Sequence, residues 1–230
     1  MDENKEKKES KINELIKKYN IDLEKLKQEQ IKLAKGLQIK DNIDFSLADR
    51  FGAIDNTFIG NKMLCSIIIC NKDYEIIDRA YVFERVKFPY IPGFRNYREL
   101  LPMILAFEKL TEKPDVVFIP GQGISHQRLG LASHFALSTG VPTIGVSNSI
   151  IECEINGEDI LKNNKKVGKV LVSKEGSNPM YISPGDLISV NSSYELCKKM
   201  INPPHKRPEP LHLAAKYSKE VLKELGGNIS

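Results

Sequence analysis

The stretch PDVVFIPGQGISHQRLGLASHFALSTGVPTIGV, residues 114–146, holds two short apolar runs, PDVVFI and PTIGV, on either side of a segment with helical character. Uncharged β-branched and aromatic residues read as buried strand, and HQRLGLASHFALSTG, residues 126–140, reads as a helix closed by Gly140. Strand, helix and strand in this order make a βαβ unit, so the two strands are expected to be parallel with a right-handed crossover. The glycine-rich turn PGQG, residues 120–123, then falls at the carboxyl edge of the sheet, where α/β folds bind ligands. His126 and His134 follow closely, yet the strand tip carries Pro120 and no carboxylate.

Upstream, RFGAIDNTFIGNKMLCSIIICNKDYEIIDRAYVFERV alternates apolar runs with GN and NKD turn signals, which predicts a three-stranded antiparallel meander over residues 50–86 with Asp55 in its first strand. FPYIPGF, residues 88–94, is excluded from helix and central strand by its two prolines and its glycine. NYRELLPMILAFEKLTEK regains helical periodicity through Leu100, Leu101, Ile104, Phe107 and Leu110, with Pro102 placed near the first turn. Downstream come strands near 167–173 and 179–190, a helix from Ser192 to Met200, the joint NPPHKRPEP and a last helix to Leu225.

The first ten residues are charged and aperiodic and predict a mobile tail. KINELIKKYNIDLEKLKQEQIKLAKGL predicts one or two amphipathic helices. The expected organisation is a charged extension over 1–20 and a single α/β domain over 21–230, an antiparallel meander plus a parallel βαβ unit flanked by helices.

A chain of 230 residues can bury one full core. No run approaches the roughly 18 apolar residues of a membrane span, and the N-terminus lacks a secretory apolar run, so a soluble cytoplasmic protein without a membrane partner is expected. A formal net charge of +4 permits a nucleic-acid partner without demanding one. Cys65, Cys70, Cys153 and Cys197 form no CxxC pair and sit mostly in apolar runs, which predicts buried, reduced thiols. P-loop, HExxH and nucleophile-elbow motifs are absent.

FPYIPGFRNYRELLPMILAFEKLTEKPDVVFIPGQGISH, LGLASHFALSTGVPTIGV, SKEGSNPMYISPG and RPEP together resemble, in order and spacing, the endonuclease V family, from about Leu23 to the C-terminal helix. The resemblance implies a ribonuclease H-like mixed sheet. It also implies Mg²⁺- or Mn²⁺-dependent cleavage near a hypoxanthine base in DNA or RNA, using carboxylates from the first strand, the helix after PYIPGF and the end of the VVF strand, with a lysine and a histidine.

Carried over residue by residue, Asp55 and Glu99 match the first two carboxylates. Hard cations need converging oxygens, which makes these two the candidate catalytic and metal-holding pair. The other three positions are substituted: Pro120 stands for an aspartate, Asn148 for a lysine and Ala215 for a histidine. Asp186 and His212 are conceivable replacements, and the loop after His126 is one residue shorter than in relatives. The base-holding parts persist. Pro89, Tyr90, Ile91, Pro92 and Gly93 match the family's wedge, and Gly121, Gln122, Gly123 and His126 offer close backbone approach and polar edges for an extruded base. A rigid turn explains the same residues without a ligand.

The expected function is therefore binding of inosine-containing or distorted DNA or RNA, with cleavage lost or strongly weakened and Mg²⁺ or Mn²⁺ held only weakly. One alternative is an active Mg²⁺-dependent nuclease acting in repair of deaminated DNA or on inosine RNA. Another is a protein-interaction module reached through the N-terminal helices.

Overall fold

Strands β1 (Phe51–Ile59), β2 (Lys62–Cys70) and β3 (Ile76–Arg85) form the expected antiparallel meander in a computed structural model that describes the backbone of residues 3–226 and the side chains of residues 9–226. Gly60 takes a left-handed φ of 57° in the two-residue turn joining β1 to β2. Full pairing from Phe51↔Cys70 to Ile59↔Lys62 sets the register.

β4 (Val116–Pro120), α4 (Leu131–Thr139) and β5 (Thr143–Ser147) form the βαβ unit, with β4 parallel to both β5 and β1. The helix is shorter than its sequence suggests. Residues 126–130 form a turn, because Gly130 packs its Cα on the carbonyls of Gln122 and Gly123 and only then starts the helix. Gly140 closes it in the left-handed region, as expected.

The sheet continues through β6 (Glu154–Asn156), β7 (Asp159–Lys162), β8 (Lys165–Leu171) and β9 (Met180–Asp186) to nine strands in the order β3-β2-β1-β4-β5-β9-β8-β7-β6. β6 and β7 are too short and polar to carry a strand signature and are not anticipated. α5 (Val190–Lys199) and α6 (Glu209–Glu224) cover one face, packing on Phe51, Ala53 and Phe118. α3 (Arg95–Glu108) and α4 cover the other, on Ile54, Val117 and Ile119. Pro102 lies inside α3, beyond the first turn, with its ring buried. α1 (Glu3–Lys18) begins within the first ten residues, where an aperiodic tail was expected, in keeping with the good helix propensity of Lys and Glu, and runs on into the expected amphipathic segment; α2 (Leu23–Ala34) follows. Residues 1–2 and 227–230 lie outside the described residues. No described helix is long and apolar enough to cross a membrane. Cys65, Cys70 and Cys197 are buried free thiols, and Cys153 is free and half-buried.

Alternation along β1 sends Asp55 to the face of Phe51 and Ala53, under α6, and Asn56 to the face of α3. Parallel pairing of Ala53 with Phe118, continued two residues, sets Asp55 level with Pro120.

The turn at Gly123 is dictated by close approach: a Cβ there would run into the Pro184 carbonyl of β9. Gly123→Ala should therefore cost about 3 kcal/mol, read as a lower urea midpoint at unchanged slope.

Candidate functional site

The wedge segment and the PGQG turn meet at the carboxyl edge of β4, around a cavity of about 210 Å³ lined in part by Tyr90, Gly93, Gly121, Gln122 and His126. The wedge residues divide by burial. Pro89 and Ile91 point into the protein, Pro92 is exposed, and the Tyr90 ring stands 60% exposed at the cavity mouth. Gly123 lies behind the wall, its N–H donating to Ser183 Oγ at 2.9 Å. Gly93, at φ 79°, has no room for a side chain, since a Cβ would meet Gln127 and Arg128.

A polar network outside the sequence-derived residue set holds this geometry. The Gly93 carbonyl accepts from Gln30 Nε2 and Arg128 Nη2, each at 3.1 Å, while Arg128 Nε donates to Gln30 Oε1 at 2.6 Å. Gln30 is fully buried and donates also to Asn96 Oδ1, and Asn96 Nδ2 meets His134 Nδ1 at 3.0 Å. His134 is thus a structural histidine. The Arg128 guanidinium stacks 4.9 Å from the Phe94 ring centroid.

His126 Nδ1 accepts from the Arg128 N–H at 3.1 Å, which assigns the ring proton to Nε2 and leaves a neutral donor at the cavity. Burial, with Arg128 and Lys162 nearby, lowers its pKa to about 4. Lys162, on the unanticipated β7, donates to the carbonyls of His126 and Gln127 at 2.5 and 3.0 Å and so pins the shortened loop. Burial holds the Lys162 ammonium below its usual pKa.

The acids lie beside the cavity. Glu99 is 2% exposed, and both of its oxygens are engaged. Arg95 grips it with a two-pronged fork, Nε to Oε1 at 2.5 Å and Nη2 to Oε2 at 2.8 Å, and Asn56 Nδ2 donates to Oε2 at 2.9 Å. The third prong of the same guanidinium, Nη1, donates to the Pro120 carbonyl at 2.9 Å. Asp55 Oδ2 accepts from Thr57 Oγ1 at 3.0 Å. The largely buried Arg207 feels the Asp55 charge, which opposes the lowering of its pKa by burial.

A Mg²⁺ or Mn²⁺ ion requires several free oxygens converging on one point. The residues present fit that requirement poorly: Glu99 already accepts three hydrogen bonds, two of them from a guanidinium, and Pro120 contributes only a carbonyl that accepts from the same guanidinium. Asn56 Oδ1 and Ser66 Oγ, nearby acceptors without partners, are neutral.

Neither conceivable replacement reaches the pair. Asp186 caps the N–H groups of Gln38 and Leu187 and pairs with Thr143 at the opposite edge of the sheet. His212 stacks on His205 with centroids 3.5 Å apart. Asn148 is exposed just beyond β5. Ala215 lies one turn before Ser218, whose Oγ is 3.3 Å from Thr57 Oγ1, so the histidine-to-alanine position faces the Asp55 neighbourhood with a methyl group.

The family model described as Endonuclease V matches residues 31–216. The chain belongs to the endonuclease V family. It is 35% identical over 222 residues to an endonuclease V of Thermosipho melanesiensis, covering 91% of this chain and 93% of the relative. It is 32% identical to that of Archaeoglobus fulgidus, covering 89% and 96%. The fold matches the catalytic domain of human endonuclease V with a TM-score of 0.80 at 24% identity, covering 89% of this chain and 97% of that one. A Ciona intestinalis endonuclease V, solved in complex with a 24mer DNA containing an inosine followed by a ribo-adenosine, matches with a TM-score of 0.78 at 19% identity, covering 88% and 98%. The nine-stranded mixed sheet with helices on both faces is thus the ribonuclease H-like fold of endonuclease V. The family is metal-dependent in general.

Two buried histidines give this endonuclease V-family chain a defined pH response. His126 and His134 both have pKa values lowered to about 4 from 6.5, His134 by burial alone. Between those values the unfolded chain binds protons that the folded chain refuses, so stability rises with pH through this window and falls on acidification. The loss should reach about 2 kcal/mol per histidine by pH 5, read from urea midpoints at pH 7 and pH 5. His134→Gln should flatten the slope, and an unchanged slope would reject the assignment.

Proposed function

We propose that this chain binds DNA or RNA carrying a deaminated, inosine-type base or a distorted strand, and that phosphodiester cleavage is lost or strongly weakened. Asp55 and Glu99 hold Mg²⁺ or Mn²⁺ weakly at most. The observation that carries the reading is the Arg95 guanidinium, which joins Glu99 to the Pro120 carbonyl where a cation would need free oxygens.

Recognition rests on the cavity beside it. Its volume of about 210 Å³ is below the roughly 300–1,000 Å³ of sites for drug-sized ligands and suits a single flat ring system. The exposed Tyr90 ring offers a stacking surface, the His126 imidazole a neutral N–H, and the glycine turn close backbone contact. Extrusion of a base costs least where its pairing is already weak, which favours deaminated and mismatched sites. The inosine-DNA complex of the Ciona relative supports the same substrate class.

Binding and cleavage are to be measured separately. At one fixed salt concentration, an inosine-containing oligonucleotide should bind roughly tenfold tighter than its matched counterpart. Tyr90→Ala should remove about the same factor. Equal weak affinity for both oligonucleotides would defeat the binding half.

With Mg²⁺ or Mn²⁺ the native chain should give no product at high enzyme concentration. Cleavage should emerge when R95L, P120D, N148K and A215H are combined. Product from the native chain that vanishes in Asp55→Ala would overturn the cleavage half.

A further inference from the structure

His205, Glu209 and His212 bring one ligand atom each to within 4.8 Å of one another, the only set of three or more such groups among the described residues that can share an ion. Glu209 and His212 are three apart at the start of α6, which places them on one helix face, and His205 folds back from the preceding joint. The His205 and His212 rings lie nearly parallel, centroids 3.5 Å apart and planes 19° apart, which holds the two imidazoles side by side; because ring-nitrogen lone pairs lie in the ring plane, one ring must turn for both to aim at a shared ion. Glu209 is 5% exposed, and its only ion-pair partner among the described residues is His205, Nδ1 to Oε2 at 2.6 Å. A buried carboxylate without a permanent cation calls for one, and two imidazoles beside it select its chemistry.

We propose that His205, Glu209 and His212 form a site for a borderline divalent transition metal such as Zn²⁺ or Co²⁺, with protein ligands on three corners and solvent on the fourth. Two nitrogens and one oxygen suit Zn²⁺ or Co²⁺ and not Mg²⁺, which prefers an all-oxygen octahedron. Tetrahedral bonds of roughly 2.0–2.1 Å put ligand atoms about 3.4 Å apart, so the trio closes on an ion with small side-chain shifts. The ion takes the place of the proton between His205 Nδ1 and Glu209 Oε2, and that proton leaves to solvent.

The site is separate from the Asp55–Glu99 pair. The Glu209 charge acts on Cys70, the partner of Phe51 at the far end of β1, roughly 13 Å along the strand from Asp55. Arg207 lies between two of the ligands in sequence, so an ion there also fixes the segment that carries this guanidinium toward Asp55.

Titration of the chelator-treated full chain with Co²⁺ tests the proposal. The expected result is one ion per chain, the visible bands of four-coordinate Co²⁺ with nitrogen and oxygen ligands, and a rise in Tm that Zn²⁺ reproduces and Mg²⁺ does not. Affinity should fall roughly a hundredfold in His212→Ala and in His205→Asn and stay unchanged in Asp55→Ala. Circular dichroism identifies any variant that fails to fold, and the native spectrum decides the matter without it. No bands with the native chain, a thiolate charge-transfer band, or binding lost in Asp55→Ala but kept in folded His212→Ala would each overturn it.

Discussion

The Arg95 guanidinium ties helix α3 to the end of β4 and neutralises the most deeply buried acid at the sheet's edge. Glu99 at 2% exposure cannot stay charged without strong donors, because desolvating a carboxylate costs several kcal/mol. Two guanidinium N–H groups and one amide supply them. A metal ion answers the same electrostatic need in metal-dependent members of the family, with the difference that an ion dissociates and a covalently attached guanidinium does not. Pro120 fits this arrangement. With no side-chain oxygen, its carbonyl is what the strand tip offers, and Arg95 takes it. Pro120 and Arg95 thus meet in one arrangement, a carbonyl without a side-chain oxygen beside it and a guanidinium that bonds to it.

The cavity is supported by different contacts. Gln30, Gly93, Asn96, Arg128 and His134 form one connected network that joins α2, the wedge, α3 and α4, and Lys162 ties the loop at His126 to β7. None of these bonds involves Asp55 or Glu99. Arg95 alone among the residues discussed belongs to both halves, lining the cavity with one edge and holding Glu99 with the other. Such a division lets the cavity keep its shape independently of the acids, because its rigidity comes from satisfied buried hydrogen bonds.

Much of this was legible in the sequence, for physical reasons. β2, β4 and β5 are buried and speak through nearly continuous apolar runs, the glycine at 140 closes α4, and the wedge prolines forbid regular structure. β6 and β7 stayed hidden because strands of three and four residues are too short to show a period, and with them Lys162, whose role exists only once β7 lies beside the His126 loop. Arg95 carries no motif of its own. Its function comes from an i to i+4 spacing to Glu99 combined with a strand end 25 residues away, which no local pattern encodes. Asp186 and His212 looked like available ligands by residue type alone, and topology placed both elsewhere.

The charge distribution explains how a binding surface can work without an ion. Metal ions in nuclease sites activate a nucleophile, and they also hold a phosphate against acids that would otherwise repel it. Here Glu99 is paired directly with Arg95. A phosphate approaching the edge of β4 therefore meets one carboxylate already paired, and the Coulomb repulsion from that acid falls accordingly. On the proposed reading, a strand lying across this edge meets Glu99 already held by Arg95, and a displaced base has the cavity beside it.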